Sequence, residues 1–500
     1  MEKTFEGIKA LDTKRIFVLG NGFDLAHYLP TAYVHFMDAM KIVEDSGEDS
    51  ELGFDSLFRK YIAGECSDRD KDFFTKTRQL YKTDDLRLSI QTVNDLQEKL
   101  INNGWFQHFK HHLTDVDTWI DFETEIENVL LSINTLLSKD FDNSTISEVD
   151  VEVDVSSEYG ENYQTNKAEF DSFLGDNLVQ FSPRYLNEMR FKSSKVQRIL
   201  RSFSITSKAY GSYEEVKDYG MSKIVNLKSH DSHGAREKTK IHKKYRDSLF
   251  ITFDIDRVVK KKYLDKFSSF YTGFKADELF KRLSADLECF SEIFTSYINL
   301  VINQLKPVRP FNSFGDLGKE IDAVYTFNYS NTFERLYPKI LDDQLNQIEV
   351  EYIHGSAERK NIVLGISDLD EEQLKKYKVY GFVKTFRKIV NNTDYMFLDN
   401  TDVKLMNKPP IDYLLQNDYE IIIWGHSLDS SDAEYIREMF SLNSENLLNR
   451  VVIKVWYHQS QHMSLANLMH IMGKDIIQEW IKKGWLVFEL APDIYKENHH

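Results

Sequence analysis

Residues 15–36 constrain the fold of this chain most, because they read as a strand, a glycine turn and a helix in direct succession. The apolar run is short enough for a buried strand, Gly20, Asn21 and Gly22 interrupt it, and helical spacing resumes beyond. At the start of a helix such a turn favours a phosphate or another anion. The dinucleotide fingerprint requires a third glycine where this chain has Leu25, so a tight turn without a ligand is an equal alternative at this point.

The composition is that of a globular chain that lacks long low-complexity tracts, with 500 residues, 41% hydrophobic, and only 8 Pro and 21 Gly. A formal net charge of -17 argues against nonspecific binding of duplex DNA as the main activity. Cys66 and Cys289 are its only cysteines, which excludes a disulfide framework and a thiolate zinc site and indicates a reducing compartment. Signal-peptide and membrane-span patterns are both missing, so we expect a cytoplasmic protein with no membrane association.

Apolar strands alternate with helices from about residue 321, and this alternation predicts a parallel sheet. The strand candidates are AVYTFN, EVEYIHG, NIVLGI, EIIIWGHS and VVIKVWYH. Because another strand begins near residue 16, the sheet must be interrupted by a long insertion. We therefore predict an α/β fold, with a doubly wound, mostly parallel sheet and a large, mainly helical insertion.

The chain divides by pattern into five segments, of which the first and last form one core. Residues 1–40 hold the first strand and glycine turn, 41–138 a helical layer, 139–262 an inserted module, 263–320 further helix, and 321–500 the rest of the core. The inserted module carries an acidic block followed by a basic block. Such blocks indicate either a solvated surface or a docking surface for a partner protein, a nucleic acid or a trigger.

Polar residues and glycines follow the predicted strands where each strand ends. Because ligands of a doubly wound sheet bind outside the carboxyl ends of the strands, these endings favour a small-molecule pocket. They are Gly20-Asn21-Gly22, Thr326 to Tyr329, His354-Gly355, Gly365 and Gly425-His426-Ser427.

Four motifs carry a resemblance to a known family: GNGFDLAHYLPTAY, YTFNYSNTFE, YIHG and WGHSLDSSD. In this order they resemble the AbiH family of bacterial abortive-infection proteins, which act against phages. The resemblance covers the first 40 residues and a stretch from about 321 to 440. The same motifs are similar to a divergent sirtuin-like fold, in which a GAG-type turn, a T-x-N segment, an HG dipeptide and a late G-x-S loop surround NAD.

The resemblance implies an antiphage effector that hydrolyses NAD at the nicotinamide glycosidic bond. It places Asn328 beside the nicotinamide ribose and His354 at the ribose hydroxyls, and these residue types suit an orienting amide and a proton acceptor. NAD is then the substrate, and no metal is implied. The residues implied to bind NAD are Gly20, Asn21, Gly22, Asp24, Thr31, Thr326, Tyr329, Gly355, Gly425, Ser427 and Asp429.

Three departures from the sirtuin pattern narrow the implied activity. Asn21 replaces a small residue in the turn, and Tyr329-Ser330 follows Asn328 where the pattern has an acidic residue. The four-cysteine zinc module is missing, which argues against a zinc-dependent deacylase and leaves an NAD+ glycohydrolase.

Two other functions remain open from the sequence. The first is a non-catalytic protein that senses a nucleotide or ADP-ribose, and the second is a nuclease toxin that uses the basic segment 184–262. Activation by a phage trigger or partner protein through residues 139–262, and assembly into a homo-oligomer, are compatible with each of them.

Other groupings of reactive side chains were weighed against these functions. Ser427 could be the nucleophile of a serine hydrolase with Asp432 and His458, but Asp429 occupies the position where the nucleophile elbow has glycine. Neither of two histidine groups has the HExxH form of a zinc site. The first group is His108, His111 and His112, and the second is His458 with His462. Glu123, Glu125 and Glu127 suggest a polar helix face, although one of them could reach the pocket.

Overall fold

The computed structural model of the protein describes residues 14–47, 49–110, 118–138, 194–207, 258–267, 270–312, 321–338, 348, 350–369, 372–393, 397–398, 419–442, 451–458 and 460–499. The chain divides into two compact units, residues 1–128 with 284–500, and residues 129–283. The five predicted segments stay a prediction. Most of the predicted module 139–262 lies outside the described residues.

A six-stranded, all-parallel sheet forms the centre of the first unit, with helices on both faces. The α/β prediction is therefore confirmed. Its strands are β1 (Lys14–Leu19), β2 (Ala323–Thr326), β3 (Val350–Tyr352), β4 (Tyr419–Trp424), β5 (Val451–Tyr457) and β6 (Leu486–Leu490), in the spatial order 6-5-4-1-2-3.

This strand order places the end of β1 between the ends of two strands from the far end of the chain. Leu19 pairs with Thr326 of β2 on one side and with Trp424 of β4 on the other. The chain builds β2 and β3 outward on one side and then returns to build β4, β5 and β6 on the other. The topological switch point, where doubly wound sheets bind ligands, therefore lies between β1 and β4.

Helices occupy most of the remaining described residues of the first unit. They are α1 (Asn21–Ala26), α2 (Tyr33–Asp45), α3 (Phe54–Leu57), α4 (Arg59–Ile62), α5 (Asp68–Leu80), α6 (Ile90–Asn102), α7 (Gly104–Lys110), α8 (Trp119–Ser138), which ends in the second unit, α10 (Ala276–Tyr297), which begins there, α11 (Thr332–Leu336), α12 (Glu372–Lys376), α13 (Lys384–Val390), α14 (Ala433–Ser441), α15 (His462–Met472), α16 (Lys474–Lys482) and α17 (Ile494–Asn498). Helices α2 to α8 lie between residues 33 and 138, where the sequence predicts a helical layer from residue 41. None of the helices among the described residues is long and apolar enough to cross a membrane.

The second unit holds helix α9 (Ser194–Ser202) and two short antiparallel strand pairs. One pair joins Thr206–Ser207 to Val258–Val259, and the other joins Leu264–Phe267 to Phe270–Phe274. The latter pair corrects the prediction of helix from residue 263, because α10 begins only at Ala276. Phe270 and Phe274 are four residues apart, and a spacing of four fits one face of a helix and one face of a strand equally.

The strand predicted for NIVLGI is wrong, and a strand near the end of the chain was missed. Ile362, Val363 and Leu364 are buried, but the backbone folds onto the loop that follows β3, with Val363 N–H donating to the His354 carbonyl at 2.9 Å. Burial without sheet pairing gives the same apolar run as a buried strand. The missed strand is β6, which pairs in parallel with β5.

Candidate functional site

Backbone contact between the loops after β1 and β4 explains three glycines at the switch point. Gly22 N–H donates to the Gly425 carbonyl at 2.8 Å, and a Cβ on Gly425 would lie 2.1 Å from Phe23 N. Gly425 also has φ +73, and a Cβ on Gly20 would lie 2.5 Å from His426 Cα. Close approach by itself requires these glycines. The Gly22 N–H is already bonded to the Gly425 carbonyl, and the binding of NAD by Gly20, Asn21 and Gly22 stays a prediction.

Asp24 is the centre of a buried polar group that we call the Asp24 cluster, made up of Asp24, Asn328, Ser330 and Thr332. Asn328 Nδ2 donates to one Asp24 carboxylate oxygen at 3.0 Å, and the Ser330 hydroxyl donates to the other. Thr332 Oγ1 lies 2.8 Å from Ser330 Oγ. Two residues that the sequence placed at one site, Asp24 of α1 and Asn328 after β2, are therefore in direct contact.

The bond to Asp24 orients the Asn328 amide. Because an ionised carboxylate only accepts hydrogen bonds, it selects the amide nitrogen and turns Oδ1 away. Asn328 Oδ1 is buried and has no hydrogen-bond partner within the described residues. Burial raises the pKa of Asp24 to about 6, although Ser330, Thr332, Arg335 and Asn328 oppose this shift.

Asp432 is the centre of a second group, the Asp432 cluster, made up of Glu123, His354, Lys384, His426 and Asp432. Asp432 Oδ1 lies 3.2 Å from His354 Nε2 and 3.6 Å from Lys384 Nζ, and Oδ2 lies 3.5 Å from His426 Nε2. Lys384 Nζ lies 2.7 Å from Glu123 Oε1. Burial acts to raise the pKa of Asp432, but Lys384, His354 and His426 together hold it well below its usual range.

Asp432 and a backbone N–H select the tautomers of the two histidines. Leu428 N–H donates to His426 Nδ1 at 2.9 Å, which leaves the proton of neutral His426 on Nε2, facing Asp432. His354 Nε2 is close to Asp432 Oδ1 but lacks the alignment of a hydrogen bond. The carboxylate still favours a proton on this nitrogen, so the proton acceptor of His354 is Nδ1. Burial lowers the pKa of His354 to about 4, against the opposing effect of Asp432.

Glu123 and Lys384 form the other half of the Asp432 cluster. Burial raises the pKa of Glu123 to about 7, which Lys384 opposes and Asp432 reinforces. The pKa of Lys384 is raised above its usual value, because Asp432 and Glu123 outweigh the effect of its burial. Lys384 is thus a buried cation, and Glu123 is a carboxyl that changes its protonation near neutral pH.

Consecutive residues after β2 contact the two clusters. The Phe327 ring lies 5.1 Å from the His354 ring and 4.4 Å from the His426 ring, while Asn328 bonds to Asp24. Tyr329 interacts electrostatically with Lys384, Glu123 and Asp432. The two predicted catalytic residues thus lie at the ends of neighbouring strands but belong to different clusters.

The remaining predicted site residues have mainly structural contacts. Thr326 Oγ1 accepts from Asn328 N–H at 3.1 Å, Tyr329 OH donates to the Val363 carbonyl at 3.3 Å, and Gly355 N–H donates to the Tyr352 carbonyl at 3.1 Å. Asn21 begins α1, and the carbonyl of buried Thr31 accepts from Trp119 Nε1 at 3.2 Å.

Ser427 and Asp429 lie on the loop after β4. Ser427 is exposed, and its carbonyl accepts from Asn467 Nδ2 at 3.0 Å. Asp429 Oδ1 accepts from Ser431 N–H at 3.0 Å and caps the turn that carries Asp432. Asp432 faces His354 and His426. It therefore belongs to a different group of residues from the serine hydrolase triad considered above.

Sequence reasoning did not assign Lys384 or Asp432 to the pocket and treated Glu123 only as an acidic residue that could reach it. Asp432 follows a polar strand ending and could have been included on that signal. Lys384 lies in KTFRKIV, where nothing in the spacing distinguishes a buried lysine from a solvated one.

One of the histidines considered as metal ligands, His108, contacts a carboxylate instead. His108 Nε2 lies 2.9 Å from Glu125 Oε1, and His111 and His112 are outside the described residues. Across the described ranges, no three His, Cys, Asp or Glu side chains are grouped so that they could hold a metal ion.

Comparison with known proteins bears on the part of the chain that contains most of this site. Residues 234–454 match the family model of bacteriophage abortive infection AbiH. The matched AbiH segment contains Asn328, His354, Lys384 and Asp432, while the glycine turn after β1 lies outside it. The predicted resemblance to the AbiH family is confirmed for this segment, and the sirtuin-like resemblance stays a prediction. No curated protein and no solved structure matches the chain.

Proposed function

We propose that the protein is an abortive-infection effector against phages that hydrolyses NAD at the nicotinamide glycosidic bond. The match of residues 234–454 to AbiH supports the defence role. The carboxyl edge of a doubly wound parallel sheet, where nucleotides commonly bind, supports the substrate class. The core is proposed to be of the sirtuin-like type.

The observation that carries this proposal is the pair of oriented acceptors at the ends of β2 and β3. Asp24 holds the Asn328 amide so that Oδ1 is left to accept a hydrogen bond. Asp432 favours the His354 tautomer in which Nδ1 accepts a proton. Hydrolysis of a glycosidic bond needs these two functions, one to orient water or a ribose hydroxyl and one to take a proton.

The reaction balances with water as the only co-reactant. Water adds to C1′ of the nicotinamide ribose, and the bond from C1′ to the ring nitrogen breaks with its electron pair going to nicotinamide. The water proton passes to His354 Nδ1. The ionised Asp432 carboxylate stabilises the resulting imidazolium and opposes the burial that lowers the pKa of His354 to about 4. The products are ADP-ribose, nicotinamide and a proton.

Release of nicotinamide from NAD tests the proposal. Purified protein is incubated with NAD, with and without phage lysate, and nicotinamide is measured by chromatography. We expect Asn328→Ala and His354→Ala each to reduce the rate by about 100-fold or more, because each removes a function used in the transition state. Unchanged rates in both variants would contradict the proposed chemistry.

His470→Ala is the matched control, since His470 lies on the exposed side of α15 and outside both clusters. We expect it to hydrolyse NAD at the rate of the unsubstituted protein. Circular dichroism of each variant shows whether the fold is retained. Tight binding of NAD by calorimetry with no nicotinamide release would instead support the nucleotide-sensing alternative.

A further inference from the structure

Helix α13 has its charged side chains inside and its apolar side chains outside. Lys384, Arg387 and Lys388 are 3%, 7% and 2% exposed. The apolar residues of the same helix are far more exposed: Phe386 45%, Ile389 62% and Val390 65%. Burial of apolar area alone would turn this helix the other way. The three cations therefore face inward for a reason other than the hydrophobic effect. We call Lys384, Arg387 and Lys388 the α13 cation face.

The three cations share one face because their spacing of three and four residues aligns them along the helix. Lys384 Nζ contacts Glu123 and Asp432, as described above. Lys388 Nζ lies 3.1 Å from Glu434 Oε1 and also donates to the Tyr435 hydroxyl. Arg387 is the least satisfied member.

Among the described residues, the Arg387 guanidinium donates one hydrogen bond. Its Nη1 donates to the Gly381 carbonyl at 3.3 Å, and its Nε is buried with no hydrogen-bond partner among the residues that the structure describes. Burial lowers the pKa of this guanidinium, although Glu288 and Tyr329 oppose the shift. A buried donor without an acceptor is costly to leave in place, so an additional acceptor is expected near it.

Among the described residues, the negative charge near the α13 cation face does not balance three cations. Asp432 is ionised, but the raised pKa of about 7 leaves Glu123 partly protonated at neutral pH. Glu434 and Glu288, which acts on Arg387, are both exposed, so water screens their charges. The buried side of the helix therefore carries an excess of positive charge, which favours a bound anion.

The α13 cation face lies at the candidate site. Lys384 and Lys388 both act electrostatically on His354, and Lys384 and Arg387 both act on Tyr329. We propose that the α13 cation face binds the diphosphate of the dinucleotide, an inference that rests on NAD or ADP-ribose being the ligand of this site. Arginine and lysine are the side chains suited to this role, and a guanidinium bonds two phosphate oxygens at once.

Binding of ADP-ribose and of inorganic pyrophosphate tests this inference without any turnover. Both dissociation constants are measured by calorimetry for the full chain and for Arg387→Gln. We expect Arg387→Gln to weaken both ligands about tenfold or more, since a charge-assisted bond is lost. Arg387→Lys, which keeps the charge, should recover part of the affinity. Lys376→Gln removes an exposed lysine of α12 and serves as the control with the same change of charge.

Unchanged affinity of Arg387→Gln for both ligands, with the fold intact by circular dichroism, would overturn the inference. So would the absence of binding to the unsubstituted protein. If Arg387→Gln does not fold, Lys388→Gln is measured in its place with the same expected loss. ADP-ribose binding that depends on Arg387 would uphold the inference even if NAD were not hydrolysed. If Arg387→Gln hydrolyses NAD with an unchanged KM, the inference about the α13 cation face is overturned while the proposed hydrolysis of NAD is not.

Discussion

At the scale of single residues, two buried carboxylates orient the groups to which we assign chemistry. Asp24 fixes the amide of Asn328, and Asp432 selects the tautomer of His354. The pKa values of the two carboxylates differ because their neighbours differ. Asp432 has a lysine and two histidines around it, whereas Asp24 is bonded by an amide and a hydroxyl.

The acid limb of the proposed NAD hydrolysis is therefore expected to follow Asp24 and not His354. The pKa of Asp24 is about 6 and that of His354 about 4, so on lowering the pH Asp24 takes up its proton first. Protonated Asp24 no longer selects the Asn328 amide nitrogen, and kcat/KM should fall below about pH 6. A profile of kcat/KM from pH 4.5 to 8 measures this.

Two variants separate the contributions to this profile. Asp24→Asn should hydrolyse NAD more slowly at pH 7, and its kcat/KM should no longer fall near pH 6. Glu123→Gln removes the carboxyl with a pKa of about 7, and its kcat/KM should still fall near pH 6. A profile of the unsubstituted protein that is flat from pH 5 to 7 would show that Asp24 does not control the amide.

At the scale of elements, α13 departs from the usual helix with an apolar inner face. Its Lys384 connects Glu123 of α8 with Asp432 before α14, so three helical segments are held by one buried cation. Breaking a buried ion pair by removing one partner leaves an uncompensated charge, which is strongly destabilising.

Lys384→Met should lower the free energy of unfolding by about 3–5 kcal/mol. Ile389→Lys, on the exposed side of the same helix, should change it by no more than about 0.5 kcal/mol. Urea unfolding followed by circular dichroism measures both. In Lys384→Met the Glu123 pKa should rise further above its unfolded value, so the loss should be larger at pH 8 than at pH 6. Equal effects of the two substitutions would show that the buried pair contributes no stability.

At the scale of the whole molecule, the doubly wound topology brings the two ends of the chain to one edge of the sheet. The loop after β1 contacts the loop after β4 through Gly22 and Gly425, which are far apart in sequence. This contact holds Asp24 and the Asp432 loop at the same switch point.

Gly425→Ala should destabilise the fold far more than Gly484→Ala. Both glycines have positive φ, +73 and +68, so both substitutions carry a backbone strain of about 1–2 kcal/mol. Only at Gly425 would the added Cβ meet another backbone, 2.1 Å from Phe23 N, whereas nothing lies within 4 Å at Gly484. In urea unfolding, we expect Gly425→Ala to lower the free energy of unfolding by about 2 kcal/mol or more beyond the loss in the control. Similar values would mean that the two loops separate readily.

Much of the sheet follows from local pattern alone. The apolar runs of β1, β2, β4 and β5 and the alternation with helices predict a parallel α/β sheet, and the glycine turn and polar strand ends predict where its site lies. The stretch 361–366 was misassigned because burial without pairing gives the same pattern as a buried strand. The sequence predicts that Asn328 and His354 lie at one edge of the sheet, because the carboxyl ends of parallel strands meet at that edge.

What only the tertiary structure decided is which side chains meet across elements. The contact of Asp24 with Asn328, the contacts of Lys384 with Glu123 and Asp432, and the inward cations of α13 all join residues distant in sequence. No periodicity encodes these pairs, because a charged residue has the same local pattern whether it is solvated or buried beside a partner. The sequence by itself thus determined most of the sheet and the edge at which the candidate site lies, and the packing of the helices onto that sheet decided the charges that surround the site.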